Sequence, residues 1–267
     1  MVRLLTALAL IVLALYLIWL APLSVFIVAA LTFGCLCYWE FGNLAVAHTI
    51  RRPGTIGFLI GFGIIVFPQH AFLACVLLLL LQLALFLRLS DLRSILPAAA
   101  ALLTGAVYAF SPWHFAVELR RVSPHLLFFA LALNWIGDSA AYYGGRAFGK
   151  HKLAPRVSPG KSWEGAIASA TASCLFGIVY LFFAAPRMST SSVTGLPALS
   201  LLLVCVLSIA GNIAGQFGDL AESSMKRGAG LKDSGNLLPG HGGILDRMDS
   251  SMFTLPVIYA IYTAWNS

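Results

Sequence analysis

The run Ala71-Phe-Leu-Ala-Cys-Val-Leu-Leu-Leu-Leu-Leu-Gln-Leu-Ala-Leu-Phe-Leu87 decides the fold class. Gln82 is its one polar side chain, so any helix it forms is apolar all round. An α-helix rises about 1.5 Å per residue, and about 20 apolar residues therefore cross a bilayer's hydrocarbon. A closed β-barrel is the other spanning solution, but it needs an apolar–polar alternation that this run lacks. Outward from it lie similar runs at Leu4–Leu20, Leu23–Trp39, Gly165–Ala185 and Leu199–Phe217. Shorter or interrupted ones are Gly54–Phe67, Ile95–Phe110, His125–Gly137 and Met252–Trp265. Nine candidate spans result, the first two joined by a tight Ala21–Pro22 turn.

Composition points the same way. Hydrophobic residues make up 60% of the chain and charged ones 10%, with a mean hydropathy of +0.89. A soluble domain carries roughly 25% charged residues, so this chain has too few to cover a water-facing surface. The fold class expected is an all-α, polytopic helical bundle in the membrane. Residues 4–20 read as a retained first helix, because no small-x-small cleavage site precedes a polar mature chain.

Lys and Arg are held on the cytoplasmic side of spanning segments. With nine spans, one side collects Arg3, Arg51, Arg52, Arg88, Arg93, Arg146, Lys150, Lys152, Arg156, Lys161, Lys226, Arg227, Lys232 and Arg247. The other side receives Arg120, Arg121 and Arg187, which accounts for all 17. The amino terminus is thus expected inside the cell and the carboxyl terminus outside, in the cell's inner (plasma) membrane. The five cysteines all fall within spans, in no zinc or disulfide pattern, and read as small packing residues.

Residues 1–125 are read as a lipid-facing scaffold of about five spans. Residues 126–267 are read as the catalytic part, with cytoplasmic polar loops at 138–164 and 219–250. Half of the chain's ten acidic residues lie between Asn212 and Asp249. The eighth span carries Asn212, Gln216, Asp219, Ser223, Lys226 and Arg227 at steps that share one helical face. Asn212 and Gln216 are the kind of side chain that glues helices together, whereas a carboxylate near the membrane interior points to function.

Six glycines and Pro239 then break the helix before Ile244-Leu245-Asp246-Arg247-Met248-Asp249. Asp246 and Asp249 share a helical face, so Asp219, Asp246 and Asp249 can converge across the connector. Hard oxygen ligands without His or Cys partners suit Mg²⁺. Lys226, Arg227, Lys232 and Arg247 lie among these aspartates, as phosphoryl or nucleotidyl transfer requires. The bland alternative is that they only follow the cytoplasmic bias of basic residues. His241, flanked by Gly240, Gly242 and Gly243, suggests a turn whose backbone meets phosphate more than a general base.

The earlier loop repeats the theme. Asn134 and Asp138 are four apart, followed by Tyr142, Tyr143 and Arg146, then Ser158-Pro159-Gly160-Lys161-Ser162-Trp163-Glu164-Gly165. Ser158 or Ser162 is placed to cap the seventh helix, with Lys161 at its positive end near a phosphate. Gly160-Lys161-Ser162 lacks the upstream glycine and preceding strand of a P-loop, and that reading is rejected.

Here the chain resembles the phosphatidate cytidylyltransferase (CDP-diacylglycerol synthase) family. The signature is met without a gap by Ser223, Met225, Lys226, Arg227, Lys232, Asp233, Gly235, Leu238, Pro239, His241, Gly242, Gly243, Ile244, Asp246, Arg247, Met248 and Asp249. Asp138, Ser139 and Tyr142, and Ser158, Pro159, Lys161, Ser162, Glu164 and Gly165, also look like this family. Gly160 departs from it, since a second lysine is common there. The likeness covers roughly residues 130–267; the first half matches only in hydropathy.

The resemblance implies transfer of CMP from CTP to phosphatidic acid, giving CDP-diacylglycerol and pyrophosphate in phospholipid synthesis. It implies a catalytic set of Asp219, Lys226, Arg227, Lys232, Asp233, His241, Asp246, Arg247 and Asp249. Substrate contacts are expected from Asp138, Tyr142, Lys161, Ser162, Glu164, Ser223, Lys226, Arg227, Gly242 and Gly243. Asp219, Asp246 and Asp249 would hold one or two Mg²⁺ ions, and a monovalent cation is compatible. The expected partners are CTP, phosphatidic acid and the lipid bilayer, without nucleic acid; a homodimer is compatible. Two other classes are a related CTP-using polyprenol or ether-lipid kinase or cytidylyltransferase, and an anion transporter. A transporter should show an inverted repeat between its halves, and the sequence shows none.

Overall fold

The computed structural model describes residues 2–86, 91–188, 200–238, 240 and 242–267, with backbone alone at 2–5, 7 and 184–188. These residues form nine α-helices: α1 Val2–Trp19, α2 Leu23–Ala47, α3 Ile56–Val66, α4 Ala71–Phe86, α5 Ile95–Val122, α6 Pro124–Phe148, α7 Trp163–Met188, α8 Leu201–Gly228 and α9 Leu245–Trp265. One small antiparallel hairpin lies between α6 and α7, pairing β1 (Lys152–Ala154) with β2 (Ser158–Ser162). Five stretches are long and apolar enough to cross a membrane: Leu23–Ala47, Pro68–Phe86, Leu92–Val122, Trp163–Phe183 and Leu201–Gly228. Leu8–Trp19 and Ile56–Val66 are shorter apolar helices.

On α4, Phe72, Leu73, Leu77, Leu80 and Leu81 are exposed, and on α7 Ile167, Leu175, Val179 and Phe182 are. Contiguous apolar surface of this extent is not tolerated in water, and lipid is its natural solvent. The protein is an α-helical, multi-pass membrane protein.

Several helices outrun the apolar stretches that mark them. Helix α2 continues past Trp39 to Ala47, α6 past Asp138 to Phe148, and α8 past Phe217 to Gly228. Helix α9 starts at Leu245, ahead of the apolar run at Met252. Hydropathy measures passage through hydrocarbon, whereas a helix persists wherever its backbone bonds are made and its polar side chains find partners. Helices α5 and α9 run on through Pro112 and Pro256, each missing one backbone donor.

The chain divides into two compact units, residues 1–117 with 225–248, and residues 118–224 with 249–267. It passes from one to the other within α5, α8 and α9. In the first unit, Tyr38, Leu44, Ile60, Leu102 and Phe110 are almost wholly buried. The Tyr38 hydroxyl donates to the Gly54 carbonyl (3.0 Å) and its ring meets Phe58 edge-on. In the second, α6 packs along α7, and Leu126, Leu127, Leu133, Leu203 and Leu207 are buried.

Candidate active site

In the second unit the polar stripe of α8 divides by role. Asn212 donates to Ser169 Oγ and Ser173 Oγ of α7, both at 2.9 Å. Gln216 donates to Asn212 Oδ1 (2.7 Å) and to the Ala166 carbonyl (3.2 Å). Asn134 of α6 donates to Ser251 (3.2 Å) and accepts from Thr254 (2.8 Å), both on α9. These amides are satisfied helix to helix and serve as adhesion.

Asp219, one turn further along α8, is different. Its Oδ2 lies 2.6 Å from Lys161 Nζ, and its Oδ1 accepts from Ser223 Oγ at 3.2 Å. Asp138 of α6 is within electrostatic reach of both Asp219 and Lys161. Lys161 thus pairs with Asp219, beside a surface that remains partly open: the side chains of Lys161 and Asp219 are each 28% exposed.

The hairpin explains how Lys161 gets there. Strand β2 ends at Ser162, whose hydroxyl accepts from the Gly165 amide (3.2 Å) and so caps α7, as the sequence leads one to expect. The Trp163 amide donates to the His151 carbonyl (3.0 Å), tying β2 to the turn before β1. Glu164, in the first turn of α7, accepts from the His151 ring (2.7 Å) and backbone amide (3.3 Å). Its carboxyl is therefore spent on holding the hairpin. Lys161, expected near a phosphate, pairs here with Asp219. Gly160 is exposed, and a side chain built there meets nothing within 4 Å, so the lysine common in relatives would fit. Tyr142 is exposed and within 3.5 Å of Arg146.

In the first unit, the connector after α8 folds around one carboxylate. Asp246 Oδ1 accepts from Lys226 Nζ at 2.6 Å. Its Oδ2 accepts from Ser234 N (2.9 Å), Ser234 Oγ (3.0 Å) and Gly243 N (2.8 Å). The Lys226 and Asp246 side chains are only 10% and 4% exposed. Burial alone would raise this carboxyl's pKa, but the Lys226 ammonium and the amides of Gly243 and Ser234 hold it below the ordinary range. Gly242 has φ 82°, a left-handed conformation, and a Cβ there would stand 2.9 Å from Asp246 Oδ2. The loop's glycines thus bring backbone to this carboxylate.

Arg227 is exposed and donates to the Leu231 carbonyl at 2.8 Å. Lys232, Asp233 and Arg247 are also exposed. Asp249, in the second unit, is half-buried and accepts from the Ser250 amide at 2.7 Å. Pro239 and His241 lie outside the described residues, so the place of His241 is not described. Among the described residues no three His, Cys, Asp or Glu side chains gather closely enough to hold a metal.

A buried carboxyl of α2 is passed over by the sequence reading. Glu40 of α2, fully buried, accepts from Ser234 Oγ (3.2 Å) and from the amides of Ile244 (3.1 Å) and Leu245 (2.8 Å). A charged residue directly after an apolar run ending at Trp39 is the available signal.

Over residues 1–265 the chain matches the sequence pattern of the cytidylyltransferase family. The chain belongs to the cytidylyltransferase family. It is 35% identical over 226 residues to a protein of Staphylococcus aureus (strain COL) named phosphatidate cytidylyltransferase, covering 82% of each chain. A Bacillus subtilis (strain 168) protein of the same name is 32% identical over 252 residues, covering 87% of this chain and 89% of that one. One from Haemophilus influenzae is 42% identical over 138 residues, covering 51% and 45%. A cytidylyltransferase is a nucleotidyl-transferring enzyme, which excludes a transporter and accounts for lysines and arginines set among carboxyls. The match also extends through the amino-terminal half, where motif reading found only hydropathy.

Proposed function

We propose that this cytidylyltransferase acts on phosphatidic acid, giving CDP-diacylglycerol and pyrophosphate in phospholipid synthesis. The observation that carries the proposal is the likeness to phosphatidate cytidylyltransferases over more than four-fifths of both chains. A phosphate oxygen of the lipid bonds to the α-phosphorus of CTP while the bond to the β-phosphate oxygen breaks. The electron pair leaves with pyrophosphate. A phosphate monoester is already a competent nucleophile at neutral pH, so no side chain need take a proton.

Mg²⁺ is proposed as the cofactor; of the carboxyls that the sequence points to, Asp219 and Asp249 belong to the second unit and Asp246 to the first. The donors in the second unit suit a hard cation, since the carboxyls of Asp138 and Asp219 lie within electrostatic reach of each other and of Lys161. When bound, the ion would neutralise charge on the phosphates and on departing pyrophosphate. In the first unit, Lys226 compensates Asp246, so a cation at that carboxyl must compete with an ammonium. Lys161 is tethered where a phosphate could draw it off Asp219. Arg227, Lys232 and Arg247 present exposed cations to phosphate oxygens.

Labelled CTP, defined phosphatidic acid and Mg²⁺, given to the detergent-purified protein, should yield CDP-diacylglycerol and pyrophosphate by mass spectrometry. CDP with a newly phosphorylated lipid would instead make it a kinase and overturn the proposal.

Charge-preserving exchange at Arg227 tests the grip on phosphate. An arginine offers a planar fork and a lysine one compact ammonium. Arg227→Lys should insert normally and lose about tenfold or more in kcat/KM, about 1.4 kcal/mol of transition-state binding. Wild-type kinetics would leave Arg227 to the cytoplasmic bias alone. The same exchange at Lys226 reads out the buried pair with Asp246.

The orientation is proposed with nine spans, the amino terminus and both polar loops cytoplasmic, and the carboxyl terminus outside, in the cell's inner (plasma) membrane. A single cysteine placed within residues 228–236 of a cysteine-free variant should resist an impermeant thiol reagent applied to intact cells. Ready labelling there would mean the reverse orientation.

A further inference from the structure

We propose that Glu40, in the amino-terminal helix α2, is a positioning residue for the reaction: it fixes the 234–245 segment whose amides and serine hold Asp246. The inference rests on the proposed reaction for its kinetic arm only.

A carboxyl inside an apolar helix is costly in lipid unless its oxygens are met. Glu40 is fully buried, and three donors from a segment some 200 residues away in sequence converge on it: Ser234 Oγ, Ile244 N and Leu245 N. The two amides belong to the entry of α9, where the first N–H groups have no partner within the helix and the dipole favours a negative group. Glu40 therefore caps α9 from another helix. The one Ser234 Oγ proton is shared between Glu40 Oε2 and Asp246 Oδ2, and Asp246 Oδ2 in turn accepts from the Gly243 amide. One network thus runs from Glu40 through Ser234 to Asp246 and Lys226.

The fit is close enough to be specific. A Cβ on Gly235 would stand 2.6 Å from Glu40 Oε1, and one on Gly243 would stand 2.5 Å from Glu40 Oε2. Two glycines of the loop therefore sit against this carboxyl, where any larger residue would push it away. Just past the end of α2, His48 Nε2 donates to the Met225 carbonyl at 2.8 Å. Helix α2 thus holds the connector near both of its ends, before Lys226 and at the entry of α9. A loop with five glycines loses much conformational freedom on ordering. An anchored acceptor is what keeps it in one shape.

The test compares Glu40→Gln, Gly235→Ala and Ser234→Ala in the full-length, detergent-purified protein. Amide exchange over residues 233–247 is followed by mass spectrometry, alongside CMP-transfer kinetics. In Glu40→Gln a side-chain amide group would face N–H donors, and in Gly235→Ala the added methyl would displace the native carboxyl. Both variants should raise exchange in that segment at least tenfold, with exchange in α6 and α7 unchanged. Both should lower kcat at least tenfold while KM for CTP moves less than threefold. Adding Ser234→Ala to Glu40→Gln should cost less than the two single losses multiplied, because they act through one network. If Glu40→Gln does not fold, Gly235→Ala decides alone. Wild-type exchange in the folded variants overturns the clamp. Raised exchange with wild-type kcat overturns the positioning role. A wild-type protein that transfers no CMP counts against the proposed reaction, and the exchange result still decides the clamp.

Discussion

Asp219→Ala should remain folded in detergent and lose at least about 10²-fold in the rate of CMP transfer, the order seen when a key transition-state electrostatic group is removed. Asp219 holds Lys161 at 2.6 Å and accepts from Ser223. Removing it unties Lys161 and leaves Asp138 as the nearby carboxyl for a cation. The helix contacts of α8 should survive, because Asn212 and Gln216 make them with α7 through separate bonds. Unfolding temperature should therefore change little while activity collapses. Asp219→Asn keeps the shape and should lose nearly as much, since a neutral amide oxygen is a poor ligand for a hard cation. Turnover near wild type in either folded variant, at saturating Mg²⁺, would remove Asp219 from the machinery. Lys161→Ala, by contrast, should act chiefly through KM if Lys161 meets a substrate phosphate.

The fold class was legible because an apolar run such as Ala71–Leu87 has one physical explanation. The clustering of carboxyls and cations was legible because charge is scarce in this chain. The way those groups are shared out was not. Sequence spacing places Asn212, Gln216 and Asp219 on one face, but it cannot say that the first two are consumed by Ser169, Ser173 and Ala166. It shows Lys161 at a helix start but not the hairpin that turns its ammonium onto Asp219. Glu40 was missed for a related reason. A charge after an apolar run looks like the water boundary, and only the far end of the chain, at Ile244 and Leu245, shows that it is buried. Partners separated by some 200 residues leave no periodicity to read.

Asp246→Asn should be the most damaging exchange in the first unit, for two separable reasons. The substitution leaves the Lys226 ammonium facing a neutral amide in a pocket where the native side chains are only 10% and 4% exposed. Breaking a buried ion pair on one side costs about 3–5 kcal/mol, because an uncompensated charge remains. It also turns an acceptor of Ser234 N, Ser234 Oγ and Gly243 N into a group that is half donor. The glycine-rich loop should therefore open before anything else does, with amide protection lost over residues 233–247 and kcat down by about 10²-fold or more. Adding Lys226→Met removes the stranded charge, so the double variant should regain unfolding temperature relative to Asp246→Asn. It should not regain activity, since the ordered amides do not return. Acid should mimic the single variant. A carboxyl held below its ordinary pKa adds stability above the unfolded value of about 3.9 and loses it as pH falls further, through the folded value. Loop protection in the wild type should thus be level from about pH 8 to 5 and fail only below about 4. Protection that already fails near pH 6, or an Asp246→Asn loop protected like the wild type, would show that Asp246 does not hold the loop.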